Sequence, residues 1–138
     1  MIGKKILVVD DEIHIVHVVS IKLRNKGYDV VSTDNGADAY DMVCKDKPDL
    51  VITDLQMPVL NGLELVEKLR SGPDTKTIPV IMLTARSHAV TSEQQQQLGI
   101  HLCLSKPFSP RELLVHVEEA LFHTDPSSPA ITESSECL

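Results

Sequence analysis

Polar side chains follow four of the apolar runs in this 138-residue chain, at the point where each run ends. They are Asp10, Asp11 and Glu12 after the first run, Asp54 after the second, Thr84 after the third, and Lys106 after the fourth. If these runs are neighbouring parallel strands, their carboxyl ends meet at one edge of a sheet, which is where such sheets bind ligands. The sequence therefore predicts that several carboxylates, a hydroxyl and an ammonium converge.

Electrostatic repulsion determines what such a site can hold. Two like charges about 4 Å apart, at an effective dielectric constant near 20, repel each other by about 4 kcal/mol. Several carboxylates in one place therefore require a bound cation or protonation. Mg²⁺ suits the site because it takes few carboxylates and keeps positions open for water and phosphate oxygens. The alternative, that Asp10, Asp11 and Glu12 only begin a helix where acids are favoured, does not explain the polar residues at the other strand ends.

Hydrophobic periodicity supplies the elements that would position these groups. Short apolar runs predict strands, and segments with apolar residues at helical spacing predict helices. The predicted strands cover residues 4–9, 28–33, 50–52, 79–83 and 100–104, and the helices cover 12–26, 36–45, a segment ending near 70, 87–98, and a segment from about 110. This alternation predicts an α/β fold, an open parallel sheet with helices on both faces. The helix at 87–98 has few apolar residues, so it should be the least firmly anchored.

Composition limits the class of protein. The chain is 42% hydrophobic and 24% charged, which is typical of one self-sufficient folded domain. With 13 Lys+Arg against 20 Asp+Glu, its formal charge of −7 argues against binding nucleic acid. Neither a membrane-length apolar run nor a signal peptide is evident, and three widely spaced cysteines fit a cytoplasmic location. We predict one domain over residues 1–123 and a disordered tail over 124–138.

Four sequence motifs resemble those of a known family. They are Val8-Val9-Asp10-Asp11-Glu12, Asp54-Leu55-Gln56-Met57-Pro58 continuing to Asn61-Gly62, Leu83-Thr84-Ala85, and Lys106-Pro107-Phe108. In order and spacing they are similar to those of a response-regulator receiver domain, the CheY-like module of two-component signalling, over about residues 4–123. The resemblance implies a doubly wound, flavodoxin-like sheet of five strands in the order 2-1-3-4-5.

The resemblance also implies a role for each site residue. Asp54 would accept a phosphoryl group from a phosphohistidine of a sensor histidine kinase. The Mg²⁺ ligands would be Asp10, Asp11, Asp54 and the backbone carbonyl of Gln56. Phosphoryl oxygens would be bound by Lys106 and by the hydroxyl of Thr84, with the small Ala85 leaving room and a cis peptide bond before Pro107. Phosphorylation would then shift the face formed by the fourth helix, fifth strand and fifth helix.

One position departs from the family pattern. The family usually has an aromatic residue three positions before the lysine, and this chain has Cys103 there. Cys103 either packs as a small hydrophobic side chain or marks a changed coupling between phosphorylation and the output face.

The resemblance leaves several functions open. The first is a stand-alone receiver, as a monomer or a phosphorylation-dependent dimer, that controls an unknown output protein without contacting nucleic acid or a membrane. The second is a relay intermediate that passes its phosphoryl group to a histidine phosphotransfer protein. A small Mg²⁺-dependent phosphatase would need a substrate pocket and usually a cap, for which the chain has no long insertion. A flavin-binding domain of the same topology should have a hydroxyl-rich phosphate loop rather than Asp10-Asp11-Glu12.

Overall fold

Strands and helices alternate along the whole described chain. The computed structural model describes residues 4–57, 60–85 and 90–122. The elements are β1 (Lys5–Val9), α1 (Ile13–Asn25), β2 (Asp29–Thr33), α2 (Gly36–Asp46), β3 (Leu50–Asp54), α3 (Gly62–Ser71), β4 (Val80–Thr84), α4 (Ser92–Leu98), β5 (Ile100–Ser105) and α5 (Pro110–Phe122). The predicted tail at 124–138 lies outside the described residues. None of the described helices is long and apolar enough to cross a membrane.

The five strands form one parallel sheet in the order β2-β1-β3-β4-β5, which confirms the predicted fold class. Every residue of β3 and β4 is buried, as is most of β1, because helices cover both faces of a doubly wound sheet. At the carboxyl edge, Val9 pairs with Thr33 and Thr53, and Thr84 pairs with Ser105. This register brings the strand ends level with one another.

Alternating side chains of the strands enter two separate hydrophobic cores. Ile6, Val8 and Ile52 face the first core, to which α1 and α5 contribute. Leu7 and Val9 face the second core, to which α2 and α3 contribute. The continuous apolar runs in the sequence are therefore explained by burial of both faces of the sheet.

α4 begins later than the sequence predicted. The prediction of a helix from residue 87 is wrong at Val90 and Thr91, which precede the helix, while 86–89 lie outside the described residues. Thr91 begins the helix through a capping box, in which its Oγ1 accepts a hydrogen bond from the Gln94 N–H at 3.0 Å and the Gln94 side chain accepts from the Thr91 N–H at 3.0 Å. None of the residues of α4 is buried, as the thin apolar pattern predicted.

Arg70, at the end of α3, connects three segments around α4. Its Nε donates to the carbonyl oxygen of Leu98 at 2.6 Å, and one terminal nitrogen donates to that of Gly99 at 3.1 Å. The other terminal nitrogen donates to the carbonyl oxygens of Lys76 and Ile78 at 2.9 and 2.8 Å. One guanidinium therefore joins the carboxyl end of α4 to the segment before β4.

Candidate functional site

The predicted site residues lie together at the carboxyl edge of the sheet. Asp10 directly follows β1, Asp54 and Thr84 are the last residues of β3 and β4, and Lys106 directly follows β5. Backbone hydrogen bonds extend the sheet past these ends: the Asp10 N–H donates to the Thr33 carbonyl at 3.2 Å, and the Lys106 N–H donates to the Thr84 carbonyl at 2.7 Å. The sheet itself therefore fixes the backbone that carries the site.

Three carboxylates form the centre of the site. One oxygen from each of Asp10, Asp11 and Asp54 lies within 4.8 Å of the others. Asp10 is 1% exposed and Asp54 is 6% exposed, whereas Asp11 is exposed to solvent. The cluster is therefore open on one side, where a ligand could approach.

Lys106 is the cation of this site. Its Nζ lies 3.0 Å from Asp10 Oδ2, 3.2 Å from Asp54 Oδ1 and 2.6 Å from Glu12 Oε1. The other oxygen of Asp10, Oδ1, accepts the Glu12 N–H at 2.9 Å. Oδ2 is fully buried and has no well-aligned hydrogen bond among the described residues, so it is stabilised by charge alone. Such an oxygen is suited to bind a cation.

The pKa of each buried aspartate is raised, because burial outweighs the stabilising contact with Lys106. Burial raises the pKa of Asp10 despite opposing contacts with the Glu12 N–H and Lys106. Burial and the charge of Asp10 likewise raise the pKa of Asp54. Burial alone would lower the pKa of Lys106, but its bonds to Glu12 and Asp10 outweigh burial and raise it. A divalent cation with oxygen ligands would relieve the remaining repulsion, so the residues present fit Mg²⁺.

Gly62 keeps the backbone of Asp54 in place. A Cβ atom at Gly62 would lie 2.5 Å from the Asp54 carbonyl oxygen and 2.7 Å from the sulfur of Met82. The Gly62 N–H donates to the Leu55 carbonyl at 2.8 Å, so the loop after β3 returns tightly against the strand end. Only a residue without a side chain fits this approach.

The Gly62→Ala variant is therefore expected to unfold more easily than the parent. The added methyl must displace the strand backbone or the Met82 side chain, and overpacking of this kind costs about 1–3 kcal/mol. Urea denaturation would measure the loss, with Glu67→Ala on the exposed side of the same helix as the control. A free energy of unfolding equal to that of the parent would contradict this account.

The remaining predicted residues lie around the cluster. Thr84 is buried, and the next residue, Ala85, is exposed. Gln56, two residues after Asp54, is also exposed. The Lys106–Pro107 peptide bond is cis. Sequence reasoning placed Glu12 beside the acids but gave it no role, and its contact with Lys106 joins positions 94 residues apart.

Cys103 lies in β5, where it pairs with Met82 of β4. It is partly buried and packs against the second core, and burial raises the pKa of its thiol. Its packing is that of a small hydrophobic side chain. A part for Cys103 in switching stays a prediction.

Comparison with known sequences places this geometry in a family. The family described as "Response regulator receiver domain" matches residues 6–118. The phosphate regulon transcriptional regulatory protein PhoB of Pseudomonas aeruginosa is 36% identical over 126 residues, covering 91% of this chain and 55% of that protein. The alkaline phosphatase synthesis transcriptional regulatory protein PhoP of Bacillus subtilis is 36% identical over 128 residues, covering 93% of this chain and 52% of that protein. The chain thus spans about half the length of these curated relatives.

Solved structures agree with the sequence comparisons. The chemotaxis response regulator CheY4 of Vibrio cholerae superposes with a TM-score of 0.79 at 34% identity, covering 86% of this chain and 98% of that one. The receiver domain of a signal transduction histidine kinase from Syntrophus aciditrophicus gives a TM-score of 0.79 at 29% identity, covering 96% of this chain and 100% of that one. Together with the acids, hydroxyl and ammonium at the sheet edge, these matches show that the chain belongs to the response regulator receiver domain family.

Proposed function

We propose that this chain accepts a phosphoryl group on Asp54 from the phosphohistidine of a sensor histidine kinase, in a Mg²⁺-dependent reaction, and then controls a partner. The observation that carries the proposal is the position of the Asp54 carboxylate. It is nearly buried, it lies in a cluster with two other aspartates, and its Oδ1 is 3.2 Å from the Lys106 ammonium.

Transfer to a carboxylate needs positioning and charge more than it needs a strong base. An Asp54 oxygen attacks phosphorus, the bond from phosphorus to the histidine nitrogen breaks, and its electron pair stays on the imidazole. Asp10, Asp11, Asp54 and the Gln56 carbonyl would hold the metal ion. When bound, Mg²⁺ would neutralise the acids and interact with a phosphoryl oxygen. Lys106 would bind a second phosphoryl oxygen, and the Thr84 hydroxyl would donate to a third, beside the small Ala85.

The interaction of Thr84 with a phosphoryl group would pass a conformational change from the site to the surface formed by α4, β5 and α5. Movement of Thr84 toward a phosphoryl group would pull the end of β4, which is bonded to β5 through the Lys106 N–H. α4 follows this strand end and has no fully buried side chain, with only the partly buried Leu98 packed against the second core, so shifting it costs little packing energy. We therefore place the output on the α4–β5–α5 face, with Cys103 in its central strand.

Incubation with acetyl phosphate and Mg²⁺ tests the proposal directly. Persistent labelling of Asp54, seen as one added phosphoryl group by mass spectrometry, supports a signalling receiver. Rapid turnover of the donor without a lasting label would favour a small Mg²⁺-dependent phosphatase instead.

The Asp11→Ala variant is expected to bind Mg²⁺ at least about tenfold more weakly, since the site loses one of its oxygen ligands. Titration calorimetry would measure the change, with the exposed Asp41→Ala on α2 as a matched control. Equal affinity in the parent and the Asp11 variant would remove Asp11 from the metal site.

The partner determines whether this receiver drives an output or serves in a relay. Phosphotransfer from a panel of sensor kinases would identify the donor. Transfer onward from phosphorylated Asp54 to a histidine phosphotransfer protein would indicate a relay. The two curated relatives are named transcriptional regulators, and this chain spans about half of each, so a connection to DNA belongs among the outputs to be tested.

A further inference from the structure

We infer that Glu12 is a positioning residue that holds the Lys106 ammonium in a resting arrangement and releases it when a phosphoryl group forms on Asp54. This inference rests on the function proposed above. It assigns a role to the carboxylate that follows the two aspartates of the first strand end.

The contacts of Lys106 are the first support. Its Nζ is 2.6 Å from Glu12 Oε1, 3.0 Å from Asp10 Oδ2 and 3.2 Å from Asp54 Oδ1. The contact to Glu12 is a hydrogen bond, whereas those to the two buried aspartates are ion pairs. The shortest contact is to Glu12, whose side chain is 58% exposed, and not to either of the buried aspartates. In the resting protein, therefore, Glu12 is the nearest acceptor of the Lys106 ammonium, and an incoming phosphoryl group must compete with it.

The position of Glu12 at the start of α1 is the second support. It is the N-cap residue of α1, a position where short polar side chains accept a hydrogen bond from the first turn of the helix. The Glu12 side chain makes no such bond. Its backbone is fixed by the bond from its N–H to Asp10 Oδ1, and its side chain extends to Lys106 instead. The Glu12 side chain thus binds Lys106 and does not cap the helix.

Phosphorylation changes which acceptor Lys106 prefers. A phosphoryl group on Asp54 brings up to two negative charges and three strong acceptor oxygens next to Nζ. The Glu12 carboxylate carries one charge and is largely solvated, so it competes weakly. Before transfer, however, Glu12 competes with the donor phosphate for the ammonium. Removing the contact should therefore speed phosphorylation.

Two variants separate the contact from the charge. Glu12→Gln keeps the length of the side chain and removes its charge, whereas Glu12→Asp keeps the charge and withdraws it from Lys106 by one methylene. Both are expected to be phosphorylated by acetyl phosphate about two- to fivefold faster than the parent at saturating Mg²⁺ and low salt. The difference should shrink as salt is added. Glu67→Gln, at an exposed position of α3, is the matched control and should match the parent.

A second measurement needs neither metal nor phosphate. In Mg²⁺-free protein, the ¹⁵N resonance of the Lys106 ammonium should shift in both Glu12 variants and stay unchanged in Glu67→Gln. A Glu12→Gln variant that is labelled no faster than the parent would overturn the inference. Faster labelling of Glu12→Gln alone would also overturn it, because repulsion by the Glu12 charge would then suffice. A parent protein that takes no label on Asp54 would instead refute the proposed function.

Discussion

The Asp54→Asn variant is expected to take up no phosphoryl group from acetyl phosphate or from a phosphorylated sensor kinase. Asparagine has nearly the shape of aspartate, so the fold and the neighbouring acids should persist. The amide oxygen is too weak a nucleophile to attack phosphorus, and no other described carboxylate is both buried beside Asp10 and in contact with Lys106. Intact-protein mass spectrometry after incubation with donor and Mg²⁺ measures the loss.

The control for this variant is Asp41→Asn, at an exposed position of α2, which should be labelled like the parent. Urea denaturation of Asp54→Asn would verify that the variant still folds. Burial and the Asp10 charge raise the pKa of Asp54 in the folded protein, so its ionised form opposes folding at neutral pH. Without Mg²⁺, Asp54→Asn should therefore be at least as stable as the parent at pH 7. This advantage should shrink as the pH falls through the raised pKa. Retained labelling at full intensity would remove Asp54 from its role.

The Arg70→Ala variant is expected to lose about 3 kcal/mol of unfolding free energy, because hydrogen bonds from a charged donor contribute about 1.5–3 kcal/mol each and do not add fully. Four carbonyl oxygens, those of Lys76, Ile78, Leu98 and Gly99, lose their guanidinium donor. Arg70→Lys should recover only a small part of the loss, since a single ammonium cannot span all four acceptors. Urea denaturation gives the values.

Arg111→Ala, at an exposed position in the first turn of α5, is the matched control and should change stability little. Hydrogen exchange adds a local measurement: the amides of α4 should exchange faster in Arg70→Ala than in the parent, because the helix has lost its attachment at Leu98 and Gly99. Unchanged stability together with unchanged exchange in α4 would show that Arg70 does not anchor this helix.

Most of the fold was predictable because both faces of the sheet are buried. The run Ile6-Leu7-Val8-Val9 is typical of a strand covered on both faces, and it predicted that the polar residues after it lie at the strand end. Which face each side chain enters could not be predicted, because a uniformly apolar run carries no alternation. The start of α4 was missed because several hydroxyl side chains near 87–92 are candidate caps, and only the reciprocal bonds of Thr91 and Gln94 distinguish them.

The contacts of long charged side chains were the least predictable part of the site. The sequence placed Lys106 near the acids, but its partners depend on where a flexible side chain ends, and the shortest contact proved to be with Glu12. Nothing in the sequence pattern indicated the role of Arg70, since its acceptors are backbone carbonyls up to 29 residues away. Periodicity finds elements and strand ends, whereas contacts of this kind require the three-dimensional arrangement.

Arg70 anchors the carboxyl end of α4, and the helix contributes only the partly buried Leu98 to the second core. Substitutions at Gln96 and Gln97, which are exposed and outside the capping box, should therefore change the stability of the fold little and leave the carboxylates untouched. In evolutionary terms, such a helix can diverge quickly between paralogues. Under the function proposed above, changes at its exposed positions would alter which partner binds while the phosphorylation site stays the same.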